Sequence, residues 1–415
     1  MTWLAPLNAA GQSAPDREGR SVSRSADDAP RRSTWVNPRP YPANVWGPRT
    51  GVGLGAGLSV HNLGQPGSRG LVTALVGRYQ QVGTVAWAPQ WTPRTPGLAV
   101  LEGRVFHTKR DWFYGIGAVP GDDTRLELHR TQLRGGMRGR FAPFGPAALR
   151  IHLQMHVVHD RLYDQRNDDP DAFRRMDTAS QVYLQRFGRT RTGETRTRQF
   201  TGVRPQAGLA LDTRDREQGA RRGVLLQWET GRYLDIAGGA SFWTHEADGA
   251  AHWTLRETHT FDVTASARMA RSTTAQPVPP MYLSRLDAFR MPGVARGRFR
   301  ARDRVRIGAR YRLLAGGIEN VLAVEPYVGG TAGAVYRNMK DQFALETTTA
   351  RTPAASATVP LRLSAFVGVR VAPRFRDATW VDVAVGLGPD GLTGVRLAFT
   401  PSFGHLRPAH HRDRW

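Results

Sequence analysis

In the stretch LRIHLQMHV, Leu149, Ile151, Leu153, Met155 and Val157 fall on one face, and Arg150, His152, Gln154 and His156 on the other. RVRIGARYRL sets Val305, Ile307, Ala309, Tyr311 and Leu313 against Arg304, Arg306, Gly308, Arg310 and Arg312. LRLSAFVGVRV sets Leu361, Leu363, Ala365, Val367, Val369 and Val371 against Arg362, Ser364, Gly368 and Arg370, with Phe366 also on the polar side. Successive side chains of a strand point to opposite faces, so each segment has one dry face and one wet face. A soluble sandwich alternates too, with its apolar faces meeting in a core. What favours a membrane is the length near ten residues and the arginine on every polar face. A strand of roughly 9–11 residues tilted by about 45° crosses a bilayer. Apolar side chains then face lipid and arginines face a water-filled lumen.

Composition narrows the classes without choosing among them. The chain of 415 residues carries a formal charge of +23, which first suggests a polyanion partner. Lysine occurs only at Lys109 and Lys340, however, and arginine is spread along the chain without the dense block of a nucleic-acid arm. Cysteine is absent, which excludes disulfides, thiolate metal sites and a cysteine nucleophile. No apolar run approaches the length of a membrane-spanning helix, a fact that says nothing about strands.

Three regions are expected. Residues 1–45 read as a disordered lead rich in Ser, Asp, Arg and Pro, whose first residues resemble the end of a secretory signal without its basic start. Residues 46–403 read as one all-β domain, and 404–415 as a polar tail. Besides the three segments above, strand candidates are 51–62, 70–80, 82–92, 98–107, 124–135, 203–212, 222–232, 250–257, 259–270, 321–336, 379–386 and 393–401. Turn material such as PGDD, RNDDPD and GPDG separates them. The polar segment 161–198 suits an external loop with one strand inside it.

Between two of these candidates stands a knot of charge, DTRDREQGARRG, Asp212 to Gly223. It resembles the D-T-R-D-N-x-x-x-P-x-x-G hairpin of the bacterial surface antigen barrels, the BamA/TamA-like outer-membrane proteins. It departs from that pattern at Arg216 and Ala220. The resemblance puts the charge at a hairpin tip in water, with Asp212, Arg214 and Asp215 bonding locally and Gly223 opening the next strand. FYGIG at Phe113–Gly117 is similar to the family's turn after its early strands. LDAFRMPGVARGRFRARD, Leu286 to Asp303, resembles the long loop that folds back into the lumen, and five strand candidates follow it as in the family. LTGVRLAF resembles the C-terminal β-signal, with Gly394, Leu397 and Phe399 in the required spacing.

The loop aligns in two registers. One takes GRFR, Gly297–Arg300, as the family's G-R-F-R-D element and puts Pro292 where the signature arginine belongs. The other takes Arg296, Gly297 and Phe299 as the signature, with one residue inserted. Both stand at this point. The resemblance implies that the loop arginine pairs with an acidic residue on a following strand, for which Glu325 and Asp382 are the inward-facing candidates. The barrel is expected without the family's periplasmic modules, since only the lead is read ahead of it.

Other motifs weigh less. GVGLGAG at Gly51–Gly57 lacks the lysine of a phosphate loop and reads as a glycine-rich strand. His152 and His156, set on a strand, stand about 13–14 Å apart, too far to share one ion without a partner strand, and His159 adds no ligand geometry. No G-x-S-x-G elbow or paired-carboxylate motif appears. Trp228, Tyr311 and Phe399 fall on apolar faces, where a membrane interface rather than base stacking employs them.

The expectation is a transmembrane antiparallel β-barrel in a bacterial outer membrane, of 16 strands as the family resemblance implies, monomeric, not an enzyme, without cofactor or metal. Its expected partners are outer-membrane lipid, client polypeptides and periplasmic proteins, and not nucleic acid. The expected work is assembly or polypeptide translocation. The alternatives are a passive arginine-lined pore and a soluble basic β protein that binds nucleic acid.

Overall fold

The computed structural model describes residues 35–37, 53–63, 68–89, 97–117, 121, 123–141, 149–164, 170–187, 198–215, 220–236, 239–286, 291–295, 297–317, 322–342, 359–373 and 380–400. The strands, in chain order, are β1 (Trp35–Asn37), β2 (Gly53–His61), β3 (Arg69–Gly77), β4 (Gln80–Ala88), β5 (Gly97–Phe113), β6 (Leu126–Phe141) and β7 (Leu149–Asp164). After helices α1 (Pro170–Arg175) and α2 (Thr178–Arg186) come β8 (Arg198–Asp212), β9 (Gly223–Asp235), β10 (Phe242–Arg256) and β11 (His259–Ser272). A 3₁₀ turn (Pro280–Tyr282) leads to the short strands β12 (Ser284–Leu286) and β13 (Phe299–Ala301). The chain then gives β14 (Asp303–Leu313), β15 (Leu322–Tyr336), α3 (Met339–Gln342), β16 (Arg362–Pro373), β17 (Trp380–Gly388) and β18 (Gly391–Thr400).

Sixteen of the strands form one sheet in chain order, every pair antiparallel, with β12 and β13 set aside as a separate two-stranded ribbon. Among the described residues no ladder joins the edge strands β1 and β18. The architecture is the expected all-β, 16-stranded sheet, with two differences. The first edge strand is β1, inside the segment read as a disordered lead, so 51–62 is the second strand and not the edge. A strand of three residues is too short to show a period. Segment 161–198 holds two helices and, between the end of β7 and the start of β8 at Arg198, no strand among its described residues.

The outward faces decide the solvent. Val76, Val85, Leu133, Leu153, Met155, Val157, Leu226, Ile307, Val328 and Val367 are all exposed, and they lie on the apolar faces of adjacent strands. A soluble sandwich would bury these faces against one another. A contiguous exposed apolar belt of this extent marks contact with lipid or a partner. Its height follows from β10, where Trp243 and Trp253 point outward at 37% and 47% exposure. Ten residues at ~3.4 Å each span ~34 Å, which a tilt of 40–45° reduces to about 25 Å, the height of the apolar band in outer-membrane barrels. Leu226 pairs with Gly249, near the middle of the span between the two tryptophans. Leu226→Arg is therefore expected to cost about 2–4 kcal/mol on folding into vesicles. An effect below ~0.5 kcal/mol, ordinary for a surface site, would show that this face sees water.

Inward faces run the other way. On β7, His152, Gln154, His156, Val158, Asp160 and Leu162 are buried and alternate with exposed or half-buried neighbours. Toward the end of the sheet where β5 and β7 finish, these inward positions turn apolar. Phe113, Leu126, Leu128, Val158, Leu162, Phe200, Tyr233, Phe242 and Ala270 close around Phe173, Met176, Tyr183, Leu184 and Phe187 of the helical segment. This end is capped, and the strands that reach it are 13 to 17 residues long.

Candidate functional site

The wall of the lumen is built from carboxylates that each collect several cations. Glu102 on β5 accepts from His156 Nε2 at 2.9 Å and faces Arg134 at 3.4 Å and Arg138 at 3.5 Å. Asp160 on β7 accepts from Arg130 Nε at 2.8 Å, from Gln132 at 3.1 Å and from the Tyr282 hydroxyl. Asp262 on β11 accepts from Arg312 Nε at 2.7 Å, Arg310 Nε at 2.9 Å and His252 Nδ1 at 2.7 Å. Register explains the grouping: Asp262 sits opposite both His252 and Arg310, and Arg312 is two residues along the same face. Paired this way, buried charges become tolerable, because each lost hydration shell is replaced by aimed donors and acceptors. The strand histidines join this web: His156 bonds Glu102 and Arg134, while His159, on the outward face, meets Thr201 Oγ1 at 2.7 Å. Among the described residues no group of His and carboxylates could hold a metal ion.

The proposed loop partners have other neighbours in this web. Glu325 accepts from Arg312 Nη1 at 3.1 Å and lies 3.8 Å from Arg221, while Asp382 accepts from the Tyr327 hydroxyl at 2.6 Å and faces Arg370 at 3.6 Å. Arg296, one reading of the signature arginine, lies outside the described residues.

The DTRD hairpin closes the uncapped end between β8 and β9. Asp212 accepts from Arg214 backbone N at 3.2 Å, Arg214 Nε at 2.8 Å and Arg150 Nη1 at 3.0 Å. Asp215 takes the backbone N of Arg221 at 3.0 Å. Gly223 has φ +104°, and a Cβ there would stand 2.4 Å from the Thr213 carbonyl, so only glycine fits.

At the capped end the helical segment is tied to two others. Asp177 caps α2 by accepting from Ser180 N at 2.6 Å. Ser180 Oγ then accepts from Ile116 N at 2.8 Å, and the Tyr183 hydroxyl donates to the Val278 carbonyl at 2.5 Å. Burial pushes the phenols of Tyr183 and Tyr282 well above their usual range, with Asp160 adding to the effect at Tyr282, so both remain donors.

The loop between β11 and β14 turns inward and is held on opposite sides. Arg300 on β13, 1% exposed, donates through Nη2 to Asp111 Oδ1 at 2.5 Å and to the Trp112 carbonyl at 2.7 Å. Its guanidinium stands over Phe113 at 5.8 Å, and its own carbonyl accepts from Gly117 N at 2.7 Å. The FYGIG turn and the GRFR element therefore meet. Gly297 has φ +74°, and a Cβ there would lie 2.0 Å from the Trp112 carbonyl. Phe299 is buried with Leu286, Met291 and Val294 against Ala334, Val335 and Tyr336 of β15. The Arg362 guanidinium covers its ring at 5.0 Å.

On the far side the loop holds the last hairpin. Asp390, in the β17–β18 turn, accepts from Ala295 N at 2.5 Å and pairs with Arg298. Pro292 and Gly293 press on Gly386 and Gly388, where added Cβ atoms would meet them at 2.3 Å and 2.4 Å. In β18 the β-signal positions Leu397 and Phe399 pair with Val383 and Val381, while Gly394 falls at a bulge opposite Val385. Arg300, Asp111 and Asp390 were not singled out from sequence. An acidic residue two positions before FYG was the available signal for Asp111.

No protein-family model matches the chain, and no curated protein does. Solved structures do. BamA from Haemophilus ducreyi lacking POTRA domains 1–3 superposes with a TM-score of 0.61 at 13% identity, over 86% of this chain and 68% of that one. CdiB from Escherichia coli gives 0.53 at 10% identity, over 86% of this chain and 60% of that one. The chain thus spans about two thirds of the length of these neighbours. At such identities the likeness concerns architecture: this chain has the fold of the BamA- and CdiB-type outer-membrane β-barrels.

Proposed function

We propose that the chain is an outer-membrane barrel of the assembly or translocation kind, acting on client polypeptides, with its capped end facing outward. The observation that carries this reading is the inward loop. A ribbon anchored on β5 by Arg300 and on the β17–β18 turn by Asp390 puts folded protein across the lumen and beside the last strand. In a passive arginine-lined pore the same element would only narrow the channel. Orientation follows from connection length, since outer-membrane barrels keep short turns on the periplasmic side and long loops outside. The longest connections between strands of the main sheet, 165–197, 273–302 and 337–361, all leave the capped end.

Reconstitution into liposomes tests the proposal. The protein is expected to speed insertion of an unfolded outer-membrane barrel into the vesicle wall, and to pass chloride poorly. Steady chloride conductance without any effect on insertion would establish the passive pore instead.

A further inference from the structure

On the outward wall near the capped end, Arg232, Trp243 and Arg271 stand side by side in one register row across β9, β10 and β11. The Arg232 guanidinium covers the Trp243 ring at 5.3 Å. Its Nε is buried without a hydrogen-bond partner, and among the described residues no carboxylate pairs with it. Arg271 is held by Asp303, with Nη2 at 2.8 Å from Oδ2. The next row toward the apolar belt holds Thr230 and His245, joined Oγ1 to Nδ1 at 3.1 Å, and the His245 ring stacks on Trp243.

Below this cluster the wall becomes smooth. The outward positions of β10 are Ala247, Gly249 and Ala251, and beside them β11 offers Ala265 and Ala267. Leu226 and Trp228 rise on one flank and Ile307 on the other, all exposed. The result is a furrow about one strand pair wide, running from a basic aromatic cluster into the belt. A cation at the edge of lipid, stacked on an interfacial tryptophan, is poised for an anion at headgroup depth. The furrow adds a place for a hydrocarbon chain directly beneath.

We propose that this wall binds a phosphate-bearing membrane lipid, its phosphate on Arg232 and the Arg271 edge and one acyl chain in the furrow over Gly249. The inference rests on the barrel spanning a membrane and is independent of whether the protein assembles or translocates clients.

The full-length protein, folded in uncharged detergent, is titrated with phosphatidic acid and with the matching diacylglycerol, bound lipid being counted by native mass spectrometry. Folding of every variant is checked separately by heat-modifiable gel mobility. Phosphatidic acid is expected to bind, and diacylglycerol to bind at least tenfold more weakly. Arg232→Gln should lower phosphatidic acid affinity about tenfold. Ala247→Phe, which fills the furrow without touching the cluster, should weaken the long-chain lipid more than a short-chain one. Arg256→Gln, at the opposite end of β10, should change nothing. Equal binding of the two lipids, or an unaltered affinity in a folded Arg232→Gln variant, would overturn the proposal. Displacement by inorganic phosphate at matched concentration would assign the cluster to a free anion and overturn the lipid assignment.

Discussion

Arg312→Met is expected to lower the stability of the folded barrel more than any other single lumenal substitution. Arg312 is 2% exposed, and its fork reaches Asp262 through Nε at 2.7 Å and Nη2 at 2.8 Å, and Glu325 through Nη1 at 3.1 Å. Removing one partner of a buried ion pair leaves the other uncompensated, which costs about 3–5 kcal/mol. Here two carboxylates lose a shared cation, and Arg310, His252 and Arg221 cover them only in part. The measurement is the denaturant midpoint for folding into detergent, read by gel mobility. Adding Glu325→Gln to Arg312→Met should recover a measurable part of the loss, because contacting residues are energetically coupled. An Arg312→Met protein as stable as its parent would mean that water fills this wall and the pairs are screened.

Arg300→Ala should act differently, freeing the loop while leaving the sheet in place. Arg300 contributes no ladder to the 16-stranded sheet; it joins the ribbon β12–β13 to β5. Its loss strips Asp111 of a 2.5 Å partner, although Arg285 stands 3.6 Å away. The expected cost is therefore at the lower end of the same range, about 3 kcal/mol. Protease cleavage around residues 287–296 should rise sharply, while the compact gel band persists. Arg300→Lys keeps the charge and loses the two-pronged geometry, and should fall between. Undiminished protease protection in Arg300→Ala would falsify its role as the loop's anchor.

How much of this was legible depends on where the lumen is wet. Along the middle of the sheet, alternation is clean and the strand candidates match the observed strands. Near the cap the candidates stop short: 98–107 continues to Phe113 and 203–212 begins already at Arg198. There the inward residues Phe113 and Phe200 are apolar while outward neighbours such as Gln199 and Thr201 are polar, so the apolar face changes sides and the period-2 pattern of the wet middle breaks. The helices left a signal that was overlooked. AFRRM and YLQRF share one spacing, and Ala172, Phe173, Met176, Tyr183, Leu184 and Phe187 are the buried residues it predicts. Short helices, with polar residues on every other side, hid it. The loop contacts were legible only in part. Gly297 and Phe299 announced themselves by motif, but Asp111 lies 189 residues from Arg300, a pairing that only the closed-over cap brings about.

The edge strand β1 has a mechanical consequence. Neighbouring strands elsewhere are stitched over long seams: β5 and β6 share register from Gly97–Phe141 to Phe113–Leu126. Among the described residues β1 covers the last stretch of β2, from Trp35–His61 to Asn37–Ser59. Under lateral pressure from a bilayer, a wall yields where the fewest bonds must part together. Among the described ladders of the main sheet, that between β1 and β2 has the fewest bonds, and lateral strain is expected to part it first.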